Sequence, residues 1–182
     1  AVADTHVPSR NTGHVVARYS AMMDVLEHHA TVGSALAYLH SIPHIGNGTL
    51  LLLDETGDMA VFETGHTGSG VVEPRDGFVV STNHYVTGGL REAWLELNPP
   101  ALRGNSQARY AKVATALQAA HGQVGVGLAQ ELMARHGGPL VSICRHREME
   151  KNSMTISSII FLPRAREVYL TNGLPCENAF EV

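Results

Sequence analysis

Apolar positions along the chain follow a helical rhythm first and a strand rhythm afterwards. Val15, Tyr19, Met22 and Leu26 recur at intervals of three and four, and Met23 and Val25 broaden the stripe. This spacing predicts an amphipathic helix over residues 15–28, with Thr12 or Asn11 as its cap. Thr31 offers a second cap, and Val32, Ala35, Leu36 and Leu39 mark a shorter helix that Pro43 stops. Two helices are therefore expected before the first strand. Residues 49–53 then read as one apolar run, residues 54–58 carry turn chemistry, and residues 59–63 alternate, so a β-hairpin is expected. Its first strand is apolar throughout, which calls for cover on both faces.

Further strands are expected at 70–73 and 77–82. Residues 90–104 contain Pro99, Pro100, Gly104 and the single tryptophan, Trp94, and read as a loop or lid with a short helical piece. Ser106 is placed as a cap for a helix whose buried face is Tyr110, Val113, Ala114 and Leu117, ended by His121-Gly122. Another helix is expected at 126–135, a strand at 140–144, and a closing hairpin from 155–162 and 167–171. No internal repeat is present. Hairpins with helices grouped before and between them suit an α+β fold of antiparallel sheets covered by helices.

Composition narrows the function. At 182 residues and 44% hydrophobic content, one domain spanning 1–182 is expected. A net charge of −4 with scattered Lys and Arg gives no basic stripe, so nucleic acid is not an expected partner. The longest apolar run, residues 50–53, is far short of the roughly 20 residues of a membrane span, and residues 1–10 have no signal-peptide core. A cytoplasmic protein with no membrane partner is expected. The chain opens on Ala1 and not Met, which fits processing of a precursor, truncation, or disorder ahead of it.

Several chemistries are disfavoured. His28 and His29 cannot share a helical face, Pro43 interrupts His40 and His44, and no His-Glu-x-x-His element occurs, so no metal is expected. Ser142, Ser153, Ser157 and Ser158 lack a Gly-x-Ser-x-Gly elbow. The glycine-rich 65–70 stretch lacks a Walker lysine and reads as a hairpin connection. Cys144 and Cys176, the only two cysteines, show no zinc-type spacing. Arg145 and His146 beside Cys144 would favour a reactive thiolate. Inside a strand, however, neighbours point to opposite faces, so Cys144 reads as a structural thiol, and Cys176 likewise.

Ser81-Thr82-Asn83-His84, Ser142-Ile143-Cys144-Arg145-His146 and Asn172-Gly173-Leu174-Pro175-Cys176-Glu177 occur in this order. The Asp54 to Gly57 turn with Glu63 after it, and Ser106 with Arg109, support them. In order and spacing, over about residues 15 to 180, the chain resembles the acyl-CoA:6-aminopenicillanate acyltransferase family and its bacterial amidohydrolase relatives. That resemblance implies a four-layer αββα sandwich of the N-terminal-nucleophile (Ntn) hydrolases. It also implies a precursor that cuts itself to expose an N-terminal cysteine, whose α-amine, with a pKa near roughly 8, acts as base. In such proteins the nucleophile lies upstream of the point where this chain begins. The expectation is a companion chain carrying the cysteine, and so a hetero-oligomer.

The resemblance implies that the amide of Asn83 faces the developing oxyanion, where one preorganised donor contributes about 3–4 kcal/mol. On the residues alone, Asn83 equally suits a turn cap at a strand end. Thr82, His84 and Tyr85 are placed around the substrate by adjacency, with the Trp94 loop as its cover, and Arg145 is read as an anchor for a carboxylate or an orienting group. His84 also suits a structural hydrogen-bonding role, and Arg145 an ordinary ion pair. The expected activity is hydrolysis of a small-molecule amide, non-peptide or short and peptide-like, through an acyl-cysteine, with no cofactor. Acyl transfer to an amine is the alternative, and a non-catalytic binding or structural subunit is the rival.

Overall fold

The run of leucines at 50–53 sits where its apolarity demands, in the middle of an antiparallel sheet. The computed structural model describes residues 1–147 and 154–182; Ser153 lies outside the described residues. They form two compact units, Ala1–Leu97 and Asn98–Val182. No helix among the described residues is long and apolar enough to cross a membrane.

In the first unit β1 (Val2–His6), β2 (Gly48–Leu53), β3 (Met59–Thr64) and β4 (Ser69–Val72) form a sheet in that order, every neighbour antiparallel. The β2–β3 hairpin has the expected register, Leu50 opposite Phe62 and Leu52 opposite Ala60. These four side chains share one face by strand alternation, and α1 (Arg18–His28) and α2 (Val32–Ser41) bury that face through Ala21, Val25, Val32, Ala35 and Leu39. Leu51 and Leu53 on the opposite face are only half-buried, so cover of the second face is partial.

Three expectations need correction here. A strand, β1, precedes the two helices, because its short alternating pattern carries only Val2 and Ala3 as apolar residues. The first helix begins at Arg18 on Ala17, without a side-chain cap. Its buried face is Ala21 and Val25, while Tyr19, Met23 and Leu26 are exposed. The cause is an anchor that hydrophobic periodicity does not see. The Arg18 guanidinium pairs with both carboxylate oxygens of Asp4 on β1 and donates to the Asn47 carbonyl, which fixes the rotation of α1 about its axis. Gly48 makes room for it, since a Cβ there would lie 2.5 Å from Arg18 Nη1. The second helix follows expectation, with the Thr31 hydroxyl accepting from the Ser34 N–H at 3.2 Å.

After β4 the expected strand at 77–82 is absent, replaced by isolated bridges Arg75 to Phe78 and Thr82 to His84. A short helix, α3 (Gly88–Arg91), then leads to Trp94, which bridges to Ser9.

The second unit contains a 3-10 turn (Pro100–Leu102), α4 (Asn105–Ala119), α5 (Val126–Ala134) and a three-stranded antiparallel sheet, β5 (Ile159–Leu162), β6 (Glu167–Thr171) and β7 (Phe180–Glu181). The expected face of α4, Tyr110, Val113, Ala114 and Leu117, is half-buried. Gly104, at φ 77, precedes α4 in place of a Ser106 cap. The expected strand at 140–144 is a run of turns. Its carbonyls are drawn to side chains rather than to a ladder: the Asn105 amide donates to Pro139 and Leu140, and Lys112 Nζ donates to His136 and Val141. Mixed helices and antiparallel sheets make this an α+β protein.

Candidate functional site

The 82–85 segment is irregular backbone, so its polar groups are fixed by specific partners. Asn83 Nδ2 donates to the His6 carbonyl at 2.9 Å, which ties it to the end of β1. The Asn83 carbonyl accepts from Trp94 Nε1 at 3.0 Å. Thr82 Oγ1 and His84 Nδ1 lie 3.0 Å apart, and the His84 ring packs at a tilt on Trp94, centroids 5.9 Å apart.

Tyr85 turns inward. It is fully buried with Val7 and Leu90, Trp94 packing on them, and its hydroxyl donates to the Thr64 carbonyl at 2.7 Å. Burial holds its phenol above the ordinary range, so it stays neutral. Next to it, the buried Glu63 carboxylate accepts from the backbone N–H groups of Val86 and Thr87 and from the Thr87 hydroxyl, at 2.7, 3.0 and 2.5 Å. A loop without a strand ladder is thus held at both ends by side chains of β3 and the Trp94 segment. The structure brings Thr82, Asn83, His84, Tyr85 and Trp94 together around one turn.

A cleft of about 220 Å³ lies elsewhere in this unit, lined by Val25, His29, Val32, Leu53 and Asp54 among others. The pairings Val2 with Leu52 and His6 with Gly48 put it at the opposite end of the sheet from Asn83. Its one carboxylate, Asp54, is occupied by the Thr56 hydroxyl and the N–H groups of Val32, Thr56 and Asp58.

Arg145 belongs to the second unit, where its guanidinium donates to Asn105 Oδ1 and its N–H to Thr155 Oγ1. Asn105, 2% exposed, also accepts from Arg109 at 3.0 Å. Cys144 is buried as expected, although in a turn and not a strand. Burial and the hydrogen bond its S–H donates to Cys176 push its thiol up to about 11, which keeps it from serving as a free nucleophile. Sequence spacing did not connect it with Cys176, yet the two sulfurs lie 3.4 Å apart with His146 beside them. Only a turn at 135–147 and the return of the chain after β6 bring these residues together.

Among curated proteins, none matches the chain. A protein-family model does: the one described as acyl-coenzyme A:6-aminopenicillanic acid acyl-transferase matches residues 9–176. That stretch holds the Asn83 turn, Trp94 and Arg145, and the family points to acyltransferase or hydrolase chemistry. The chain belongs to the acyl-coenzyme A:6-aminopenicillanic acid acyltransferase family.

Proposed function

We propose that this chain is the larger subunit of an Ntn-type cysteine amidohydrolase that cleaves a small-molecule amide. Residues 1–182 form most of one four-layer αββα domain, completed by a companion chain that begins with the nucleophilic cysteine. The thiol attacks the amide carbonyl, its own α-amine takes the proton, and the tetrahedral oxyanion is met by the Asn83 amide. The amine departs with that proton, and water then hydrolyses the thioester. Thr82, His84 and Tyr85 shape the pocket, and the Trp94 segment covers it. This sequence of steps requires no metal or organic cofactor.

The observation that carries the reading is the family match over 9–176, with Asn83 held inside it by two hydrogen bonds. A preorganised donor needs such fixing, because catalysis gains only from dipoles that need not reorient. The chain's own cysteines do not compete for the nucleophile's role, Cys144 being buried and Cys176 held against it. Apolar surface supports a companion. Tyr19, Met23 and Leu26 are 67, 54 and 55% exposed, and on the β5–β6 sheet the facing pairs Ile159 with Leu170 and Phe161 with Val168 are half-exposed.

Hydrolysis is favoured over acyl transfer because water is always present as second nucleophile, while transfer needs a pocket that excludes it. The family's name favours transfer to an amine as the second reading. Intact mass spectrometry of the purified protein decides the assembly: a smaller companion starting with Cys is expected, and a lone chain indicates a non-catalytic subunit. With the companion present, Asn83→Ala should lower kcat by about 10²–10³. Turnover within a few-fold of the parent, with the fold intact, removes the oxyanion role.

A further inference from the structure

Among its described residues, the second unit has few buried apolar side chains and several ligand atoms close together. His136, Cys144, His146 and Cys176 each bring one donor atom into a cluster in which all four atoms lie within 4.8 Å of one another. His146 Nε2 is 3.1 Å from His136 Nε2 and 3.2 Å from Cys176 Sγ, and the two sulfurs are 3.4 Å apart. A zinc tetrahedron with roughly 2.3 Å to sulfur and 2.0 Å to nitrogen has edges of about 3.3–3.8 Å. The three separations of 3.1, 3.2 and 3.4 Å lie at or just below the short end of that range, and the other pairs stay within 4.8 Å, so small side-chain adjustments would seat one ion among them.

Protein contacts alone give a poor account of this cluster. The sulfurs are well beyond the about 2.05 Å of a disulfide. Two imidazole nitrogens facing each other satisfy only one hydrogen bond, and only if the rings adopt opposite roles at those atoms. A shared cation satisfies all four at once. We infer that His136, Cys144, His146 and Cys176 form a structural zinc site that ties the 135–147 turn to the chain segment following β6.

The donor set selects the metal. Two thiolates with two imidazoles in a tetrahedral arrangement suit Zn²⁺, and a site closed by four protein ligands is structural rather than catalytic. Binding releases the two thiol protons to solvent, the imidazoles ligate as neutral bases, and the site carries no net charge. Surrounding groups hold the ligands. Cys144 N–H donates to the Arg135 carbonyl at 3.1 Å, and Glu177 Oε1 lies 3.8 Å from His146 Nδ1, on the ring edge away from the cluster. His136 is exposed and gives the ion a way in. The site is independent of the proposed amide hydrolysis, since its ligands do not include Asn83 or its partners.

The test is metal content of the full chain, with any copurifying companion, purified under reducing conditions without chelator. About one zinc per chain is expected. X-ray absorption should show two sulfurs at about 2.3 Å and two nitrogens at about 2.0 Å. Cobalt in place of zinc should give thiolate-to-metal charge-transfer absorption that Cys176→Ser weakens. His136→Gln, at an exposed position that leaves the core untouched, should weaken zinc binding at least tenfold and lower the melting temperature as chelator does in the parent. Absence of zinc after incubation with the free ion overturns the site. So does a Cys144–Cys176 disulfide recovered in metal-free protein, or zinc content and melting unchanged in Cys144→Ser and His136→Gln alike.

Discussion

The two units of this chain, 97 and 85 residues long, reach order by different means. Among the described residues, fifteen buried apolar side chains lie in the first unit and only Leu132, Cys144 and Ile160 in the second. The first is a sheet with two helices laid on one face, and hydrophobic burial at about 25 cal/mol per Å² is its main support. The second replaces that support with directed contacts: Asn105 and Lys112 gathering carbonyls of a turn, and a ring of Cys and His donors. Units of this size without a full core commonly rely on a disulfide or a metal. Apolar deletions should therefore hurt the first unit most, and loss of polar or metal ties the second.

The strongest way to break this contrast is Phe62→Ala. Phe62 is fully buried, between the His40 and His44 rings at centroid distances of 5.1 and 5.2 Å. Removing it should cost about 3–5 kcal/mol, the range for an aromatic lost from a core that cannot collapse. Ile160→Ala, at 8% exposure in the second unit, should cost about 2 kcal/mol. Urea unfolding of both variants measures this. An Ile160 loss equal to or above the Phe62 loss would mean that the second unit has an apolar core of its own.

Next in size is Glu63→Ala, which tests a polar anchor inside the apolar unit. Three donors from Val86 and Thr87 meet this carboxylate. Leaving them unpaired should cost about 2–3 kcal/mol. Because the same loop carries Asn83, kcat should fall together with stability. A variant that loses stability while keeping its turnover would detach Glu63 from the positioning of Asn83.

What the sequence disclosed follows the same division. The β2–β3 hairpin, α2 with its Thr31 cap, and the helical face of α4 were legible, because each is set by periodicity or by a local cap. The loop carrying Trp94 was read from its prolines and glycine, and Asn83 from its residue type as a turn cap and from the likeness of Ser81-Thr82-Asn83-His84 to a family motif as an oxyanion donor; nothing local predicts that Trp94 Nε1 reaches the Asn83 carbonyl. The buried side of α1 was misread because the Asp4–Arg18 pair, fourteen residues apart in sequence, sets the helix rotation. The Cys and His ligands were missed for a related reason. Zinc spacing rules look for pairs two to five residues apart, whereas Cys144 and Cys176 are thirty-two apart and meet through a turn that reads locally as a strand.

The smallest effect separates the units by pH. Hydrogen bonds from the Thr56 hydroxyl and then from the Val32 N–H, with further N–H groups of Thr56 and Asp58, hold the Asp54 carboxyl down to about 2. Its value in an unfolded chain is about 3.9. The depressed folded value means that its contribution is fully present above about pH 4 and disappears as pH falls through about 2. Burial of Asp54 is at the rim of the sheet, so the contribution is about 1–2 kcal/mol. Asp54→Asn should therefore lower stability at neutral pH and converge with the parent near pH 2, as read from urea midpoints across that range. Hydrogen exchange under the same conditions should place the change in the turn at 54–58 and at the start of α2, with the amides of the second unit unmoved. A gap between variant and parent that stays constant from pH 7 to pH 2 would show that the carboxylate's charge contributes nothing there and that only its shape matters.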